Sequence, residues 1–283
     1  MTTELHGKVV IVTGGNRGVG LGIARRFLQE GAIVATCSRR TLDAPPAAEG
    51  IAGAGERSLH RKCNHRHWPE IDAFVTEVVE RFGRLDILVN NAGGALPLNK
   101  MAEVGKIPAE ASGIRLGDID PAFVAPLFHK LVIENNLLGP LWFALRAYRQ
   151  MATQESGGSI INISSGASHP AGSPHLVSYG AAKAGLNHFT KSLAVEWGPK
   201  VRVNCIALGP FLTEHMRDLV LPKDEAGQKA YFSAVPLGRA GEPAEVGDVC
   251  IFLCSRAAEF INGATIAMDG GLMPGPLLGF GAL

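Results

Sequence analysis

Short, largely apolar runs alternate along this chain with longer stretches in which apolar residues recur at helical spacing. The runs at 8–13, 32–37, 58–63, 86–89, 160–163, 201–207 and 264–268 predict strands. KVVIVT and AIVATC in particular are near-continuous and β-branched, as strands buried on both faces of a parallel sheet are. Helical periodicity predicts helices over 20–29, 69–82, 127–151, from about Tyr179 onward, and 243–254; Gly31 and Gly83 close the first two. Strand and helix alternate without an internal repeat or a separating linker, which is the layout of one α/β domain spanning 1–283. Two connections break the rhythm. Residues 94–135 hold an irregular insertion (about 94–126), far longer than the roughly two to six residues usual between strand and helix, and read best as a substrate lid. Residues 209–241 look like a mobile substrate loop, and 272–283 form an apolar Gly/Pro tail.

Composition narrows the functional class. Hydrophobic content of 46% with 19% charged residues suits a substantial core, and a net charge of +1 argues against nucleic acid or a membrane surface as partner. No apolar run is long enough to span a bilayer, and the opening MTTELHGKVV lacks the core of a secretion signal. Five scattered cysteines read as reduced core residues, so a cytoplasmic protein is expected. The dense HRKCNHRH at 60–67 invites a metal reading, but its Arg and Lys oppose a cation and its alternation fits strand and loop faces; no metal is expected.

Chemistry enters at the first β–α turn, GGNRGVG, where Gly14, Gly18 and Gly20 allow backbone N–H groups to approach a pyrophosphate at a helix N-terminus. The spacing is G-x-x-x-G-x-G rather than the commoner G-x-G-x-x-G; alone it also fits a tight corner. After the second strand comes Ser38-Arg39-Arg40, where an NAD-binding protein would carry an acid for the ribose hydroxyl. Arginines there, with Arg17 in the glycine turn, suit a 2′-phosphate and favour NADP(H) over NAD(H).

The reacting groups are expected in 160–185. An apolar strand ends in Ser164 and Ser165; beyond a Gly/His/Pro loop, Tyr179 and Lys183 stand four apart on one helix face. A nearby ammonium is expected to lower the phenol's pKa, giving a proton donor with its tuner and a hydroxyl partner. Upstream, Pro140 lies four residues after Asn136 and has no N–H to give it, so the Asn136 carbonyl is free to hold a water or merely marks a kink.

Together TGGNRGVG at 13–20, NNAG at 90–93, Asn136, Ser165, YGAAK at 179–183, N-x-I-x-x-G at 204–209 with Thr213, and DGG at 269–271 resemble the short-chain dehydrogenase/reductase family. The resemblance runs from about Gly7 to Gly271. It implies a doubly wound Rossmann fold, a seven-stranded parallel sheet with helices on both faces, as a homotetramer or homodimer. It also implies Tyr179 as general acid/base, Lys183 on the nicotinamide ribose, Ser165 (with Ser164 the competitor) on the substrate oxygen, and Asn136 holding a water behind Lys183. Cofactor contacts are implied for Gly14, Asn16, Arg17, Gly18, Val19 and Gly20, for Ser38, Arg39 and Asn64, for Asn91, Ala92 and Gly93, and for Gly209, Phe211 and Thr213. Three positions depart from the family pattern: Asn64 replaces an Asp, Leu208 a Pro, and the insertion is unusually long. The expected activity is NADP(H)-dependent interconversion of a ketone and a secondary alcohol. Phe211, Leu212, Met216 and the tail suggest a lipophilic substrate of β-ketoacyl thioester, steroid or terpenoid type. Reduction of an enoyl-thioester C=C bond is the alternative, and a non-catalytic cofactor-binding sensor or scaffold the third.

Overall fold

Strand β1 (Val9–Thr13) is buried along its whole length, and its pleat feeds two cores. Val9 and Ile11 pack on one face of the sheet, Val10 and Val12 on the other. That is why the run is apolar at every position rather than at alternate ones. The computed structural model describes residues 4–42, 44–94, 126–169, 176–219 and 221–272. Most of the expected insertion and tail therefore lies outside the described residues.

The other elements are α1 (Gly18–Gln29), β2 (Ile33–Ser38), β3 (Ser58–Lys62), α2 (Trp68–Phe82), β4 (Ile87–Asn90) and α3 (Pro126–Ile133). After a π turn at Glu134–Leu138 follow α4 (Gly139–Met151), β5 (Gly158–Ser165), α5 (Val177–Trp197), β6 (Val201–Leu208), α6 (Glu214–Leu219), α7 (Glu225–Ser233), α8 (Pro243–Cys254) and β7 (Thr265–Met268). The seven strands form one sheet in the order β3-β2-β1-β4-β5-β6-β7, and all pairs are parallel. Helices cover both faces: α1 and α8 contribute Phe27, Leu28, Val246 and Leu253 to one core, α2, α4 and α5 contribute Phe74, Phe143, Met151 and Trp197 to the other. This is the expected doubly wound fold. The order reverses between β1 and β4, and a crevice opens at the carboxyl ends of two such strands.

Two predicted elements differ. The helix expected over 127–151 is broken by the π turn, and the loop expected over 209–241 contains α6 and α7. Local polar caps support the short helices: Asp224 accepts the Gly227 N–H at 2.6 Å and Thr213 Oγ1 the Met216 N–H at 3.2 Å. Leu212 and Met216, expected to meet a lipophilic substrate, pack in this segment's own small core with Leu221 and Phe232. The Phe211 ring is likewise buried against Gly241. Among the described residues no helix is long and apolar enough to cross a membrane.

Candidate active site

The ends of β1 and β4 are knitted together at the switch point. Thr13 Oγ1 accepts the Asn91 and Ala92 N–H groups at 3.0 and 2.9 Å, and Asn91 Nδ2 donates to the Thr13 carbonyl at 2.9 Å. The glycine turn lies against this joint. Gly14 and Gly18 have φ of +67° and +52°, which glycine adopts without strain. Gly20 is needed for a different reason: a Cβ there would stand 2.3 Å from Asn91 Nδ2 and 2.4 Å from the Gly14 carbonyl oxygen. Helix α1 starts here with Arg17 at its N-cap, no side-chain cap and no acid in its first turn. Its first N–H groups are thus left for an anion. Thr213 sits beside Gly18, where an added Cβ would be 3.3 Å from its methyl. Asn16 and Val19 belong to the same turn, Ala92 lies against Gly14 and is followed by Gly93, and all four are accessible.

At the far end, Arg17 and Arg39 are exposed, and among the described residues neither guanidinium meets a carboxylate. Ser38 has turned its hydroxyl onto its own turn, accepting the Arg40 N–H at 3.2 Å and lying 3.3 Å from His60 Nε2. Asn64 uses Oδ1 to accept the Arg66 N–H at 3.2 Å, an Asx turn within its loop. The three histidines of the 60–67 stretch go separate ways: His60 to Thr36 and Ser38, His65 to the Asn135 carbonyl, His67 to Glu70.

Strand β5 and helix α5 bring the reacting groups together. Of the two serines, Ser165 hydrogen-bonds Tyr179. Ser164 is buried and donates to the Lys183 carbonyl at 3.3 Å. Lys183 is only 4% exposed; its Nζ donates to the Ile163 carbonyl at 2.8 Å and lies 5.7 Å from the Tyr179 ring centroid. Burial pushes this ammonium down to about 8, against a smaller upward pull from Cys205. The Tyr179 phenol nonetheless shifts upward on balance. Burial raises the phenol, the Ser165 hydrogen bond lowers it less, and the ammonium faces the ring and a backbone oxygen.

Asn136 is fully buried and closes the site from behind. Its Oδ1 accepts the Gly94 N–H at 2.8 Å, and its Nδ2 donates to the Gly94 and Val132 carbonyls at 3.1 and 3.0 Å. Side chains of Asn136 and Lys183 converge on Gly93, whose added Cβ would be 2.7 Å from Asn136 Oδ1 and 3.5 Å from Lys183 Nζ. The broken helix releases a second carbonyl besides the one Pro140 cannot serve. Gly139 donates five residues back, to Glu134, and the carbonyl passed over is that of Asn135. His65 Nε2 takes its place at 3.0 Å. Gly209 is fixed against Asp269, to which an added Cβ would approach within 2.7 Å. With its ring buried, Phe211 can offer a cofactor only backbone. Sequence patterns did not show the Thr13–Asn91, His60–Thr36 or His65–Asn135 bonds, because each joins residues more than twenty apart.

Comparison with known proteins agrees with this geometry. The short chain dehydrogenase family model matches residues 8–224. L-fucose dehydrogenase of Oryctolagus cuniculus is 35% identical over 270 residues, covering 94% of this chain and 84% of that protein. A 3-oxoacyl-[acyl-carrier-protein] reductase of Chlamydia pneumoniae is 33% identical over 273 residues, covering 96% and 99%. A crystal structure of a short chain dehydrogenase from Bacillus anthracis superimposes with a TM-score of 0.74 at 32% identity, covering 94% of this chain and 96% of that one.

Proposed function

The chain belongs to the short-chain dehydrogenase family and is an oxidoreductase, and on that premise we propose that it interconverts a ketone and a secondary alcohol using NADP(H). The observation that carries the reaction type is the Ser165–Tyr179 hydrogen bond with the Lys183 ammonium over the phenol ring. A nicotinamide bound in the crevice supplies or accepts the hydride. The chain's own groups handle the oxygen and its proton. Tyr179, kept protonated by its buried setting, gives its proton to the carbonyl oxygen in the reducing direction. Ser165, already bonded to that hydroxyl, holds the same oxygen and fixes the side of approach. Lys183, buried beside the Tyr179 ring, opposes the negative charge that the phenolate then carries. Asn136 anchors the Gly93–Gly94 backbone beside Lys183.

The cofactor preference is supported by what surrounds the glycine turn. Uncapped α1 N–H groups fit a pyrophosphate, and Arg17 and Arg39, without carboxylates among the described residues, fit an adenosine 2′-phosphate. The substrate class is less constrained, since the apolar side chains of 211–216 face inward. NADPH oxidation should therefore be followed with a 3-oxoacyl thioester, a steroid ketone and an enoyl thioester, with products identified. An alcohol product supports the proposal, and a saturated carbonyl from an enoyl thioester overturns it. Tyr179→Phe should lose about a thousandfold or more in kcat while still binding NADPH.

A further inference from the structure

The π turn at Glu134–Leu138 is held from outside by the loop after β3. His65 donates Nε2–H to the Asn135 carbonyl at 3.0 Å and also hydrogen-bonds the Asn135 side chain. The next residue, Arg66, pairs with Glu134 at 3.7 Å. Two successive loop residues therefore grip two successive residues of the turn. On its other side Asn90 Nδ2 donates to the Pro140 carbonyl at 3.0 Å. Gly139 shows how closely the pieces fit, since a Cβ there would stand 2.3 Å from His65 Cδ2 and 2.8 Å from the His65 carbonyl oxygen. His65 is buried, and burial together with Arg66 and Arg39 keeps it neutral, its pKa lowered to about 4. A neutral ring facing a carbonyl must carry its proton on Nε2.

We propose that His65 is a positioning residue for the reaction: by giving its Nε2–H to the Asn135 carbonyl it holds the π turn open and sets Asn136 in place behind Gly93 and Lys183. The same loop carries Asn64 beside the adenosine end, and Arg39 lies within electrostatic reach of His65. His65 thus links the part of the crevice assigned to the adenosine 2′-phosphate with the groups that move the proton. A widened turn needs such a donor, because it leaves a buried carbonyl that the helix itself no longer serves. The assignment rests on the hydride-transfer reading for what Asn136 does, although not for the His65–Asn135 bond itself.

Two variants of the full-length protein separate the bond from simple packing. His65→Leu fills the space without a donor; His65→Gln places an amide N–H near the Nε2 position. Hydrogen exchange followed by mass spectrometry should show amides of residues 134–141 exchanging about tenfold faster in His65→Leu, with β5 unchanged, and should return to wild-type rates in His65→Gln. With a substrate in hand, kcat should fall about tenfold in His65→Leu at little change in the KM for NADPH, and His65→Gln should recover most of it. Unchanged exchange at 134–141 in His65→Leu, equal acceleration in β5, or equal behaviour of the two variants overturns the proposal. Faster exchange with unchanged kcat also overturns the positioning role. In that case an inactive Tyr179→Phe would leave the hydride-transfer reading standing.

Discussion

The two sides of the crevice between β1 and β4 are built on opposite principles. On the β1 side the site is made of missing atoms: Gly14 and Gly18 in left-handed conformations, and Gly20 without room for a methyl group. Backbone N–H groups and exposed arginines are what remain to meet a ligand. The β4–β5 side is made of buried polar side chains. Asn90 donates to Asn162 at 2.9 Å, Asn162 to Thr190 at 2.9 Å, and Thr190 to the Leu186 carbonyl at 2.8 Å. Lys183 and Asn136 are buried beside that network. Damage on the first side should come from added volume. On the second it should come from removed charge and hydrogen bonds, and there stability and activity need not change together.

The largest effect is expected from Gly20→Ala. In most helices that exchange is favourable by about 1 kcal/mol. Here the new Cβ meets the Gly14 carbonyl oxygen, which belongs to backbone and cannot swing aside, and an Asn91 amide already bonded to Thr13. A destabilisation of about 2–3 kcal/mol is expected, with NADPH affinity falling further because the turn itself must move. Thermal melts and titration calorimetry measure both. A variant as stable as wild type, with full affinity, would break the claim that this side is defined by excluded volume.

These contrasting designs explain what was legible in the chain. A glycine turn is a local feature, so GGNRGVG followed by a helical pattern could be read directly, as could the strands that both cores require to be apolar throughout. The Tyr179–Lys183 spacing is local as well. Its electrostatics are not: burial by distant elements raises the Tyr179 pKa, a contribution that an i,i+4 argument seeing only the neighbouring ammonium leaves out. Likewise Pro140 announces a disturbed helix but cannot say that the Asn135 carbonyl is passed over or that His65 will serve it. Helices α6 and α7 were hidden for a related reason. Their small core joins residues from Leu212 to Ala240, and the apolar side chains looked like substrate contacts.

The polar side is tested by Lys183→Met in cofactor-free protein. Burial holds the folded ammonium at about 8 against an ordinary 10.5, so the unfolded chain binds the proton more tightly. Between those pH values stability should rise with pH as the folded protein sheds a proton that the unfolded chain keeps; below about 8 the dependence vanishes. Met keeps the length without the charge. At pH 7 it should stabilise the protein by on the order of 2 kcal/mol, an upper range given the lost bond to Ile163, while activity disappears. The advantage should shrink as pH approaches 10.5. Denaturant melts at pH 7, 9 and 10.5 follow it, and a variant less stable than wild type at pH 7 would show that the buried charge is well compensated.

The smallest effect sharpens the first side, where a ligand meets charge rather than shape. Arg39 is exposed, so its interaction with a phosphate is screened by water and salt and cannot rival a steric clash. On the NADP(H) proposal it is nonetheless the residue that would choose between cofactors. It follows Ser38, whose hydroxyl is committed to the turn and to His60 and therefore does not itself compete for the ribose. Arg39→Asp replaces a phosphate partner by a group that repels phosphate and accepts from a ribose hydroxyl. The preference for NADPH over NADH should fall by about tenfold or more, equivalent to roughly 1.4 kcal/mol, with melting temperature almost unchanged. The loss should be greater at low ionic strength than at high, because only an exposed charge is screened. If the two cofactors already bind equally to the wild type, or if the preference survives Arg39→Asp at every salt concentration, then Arg17 or backbone geometry selects the cofactor. This rim would then follow the same steric rule as the glycines beneath it.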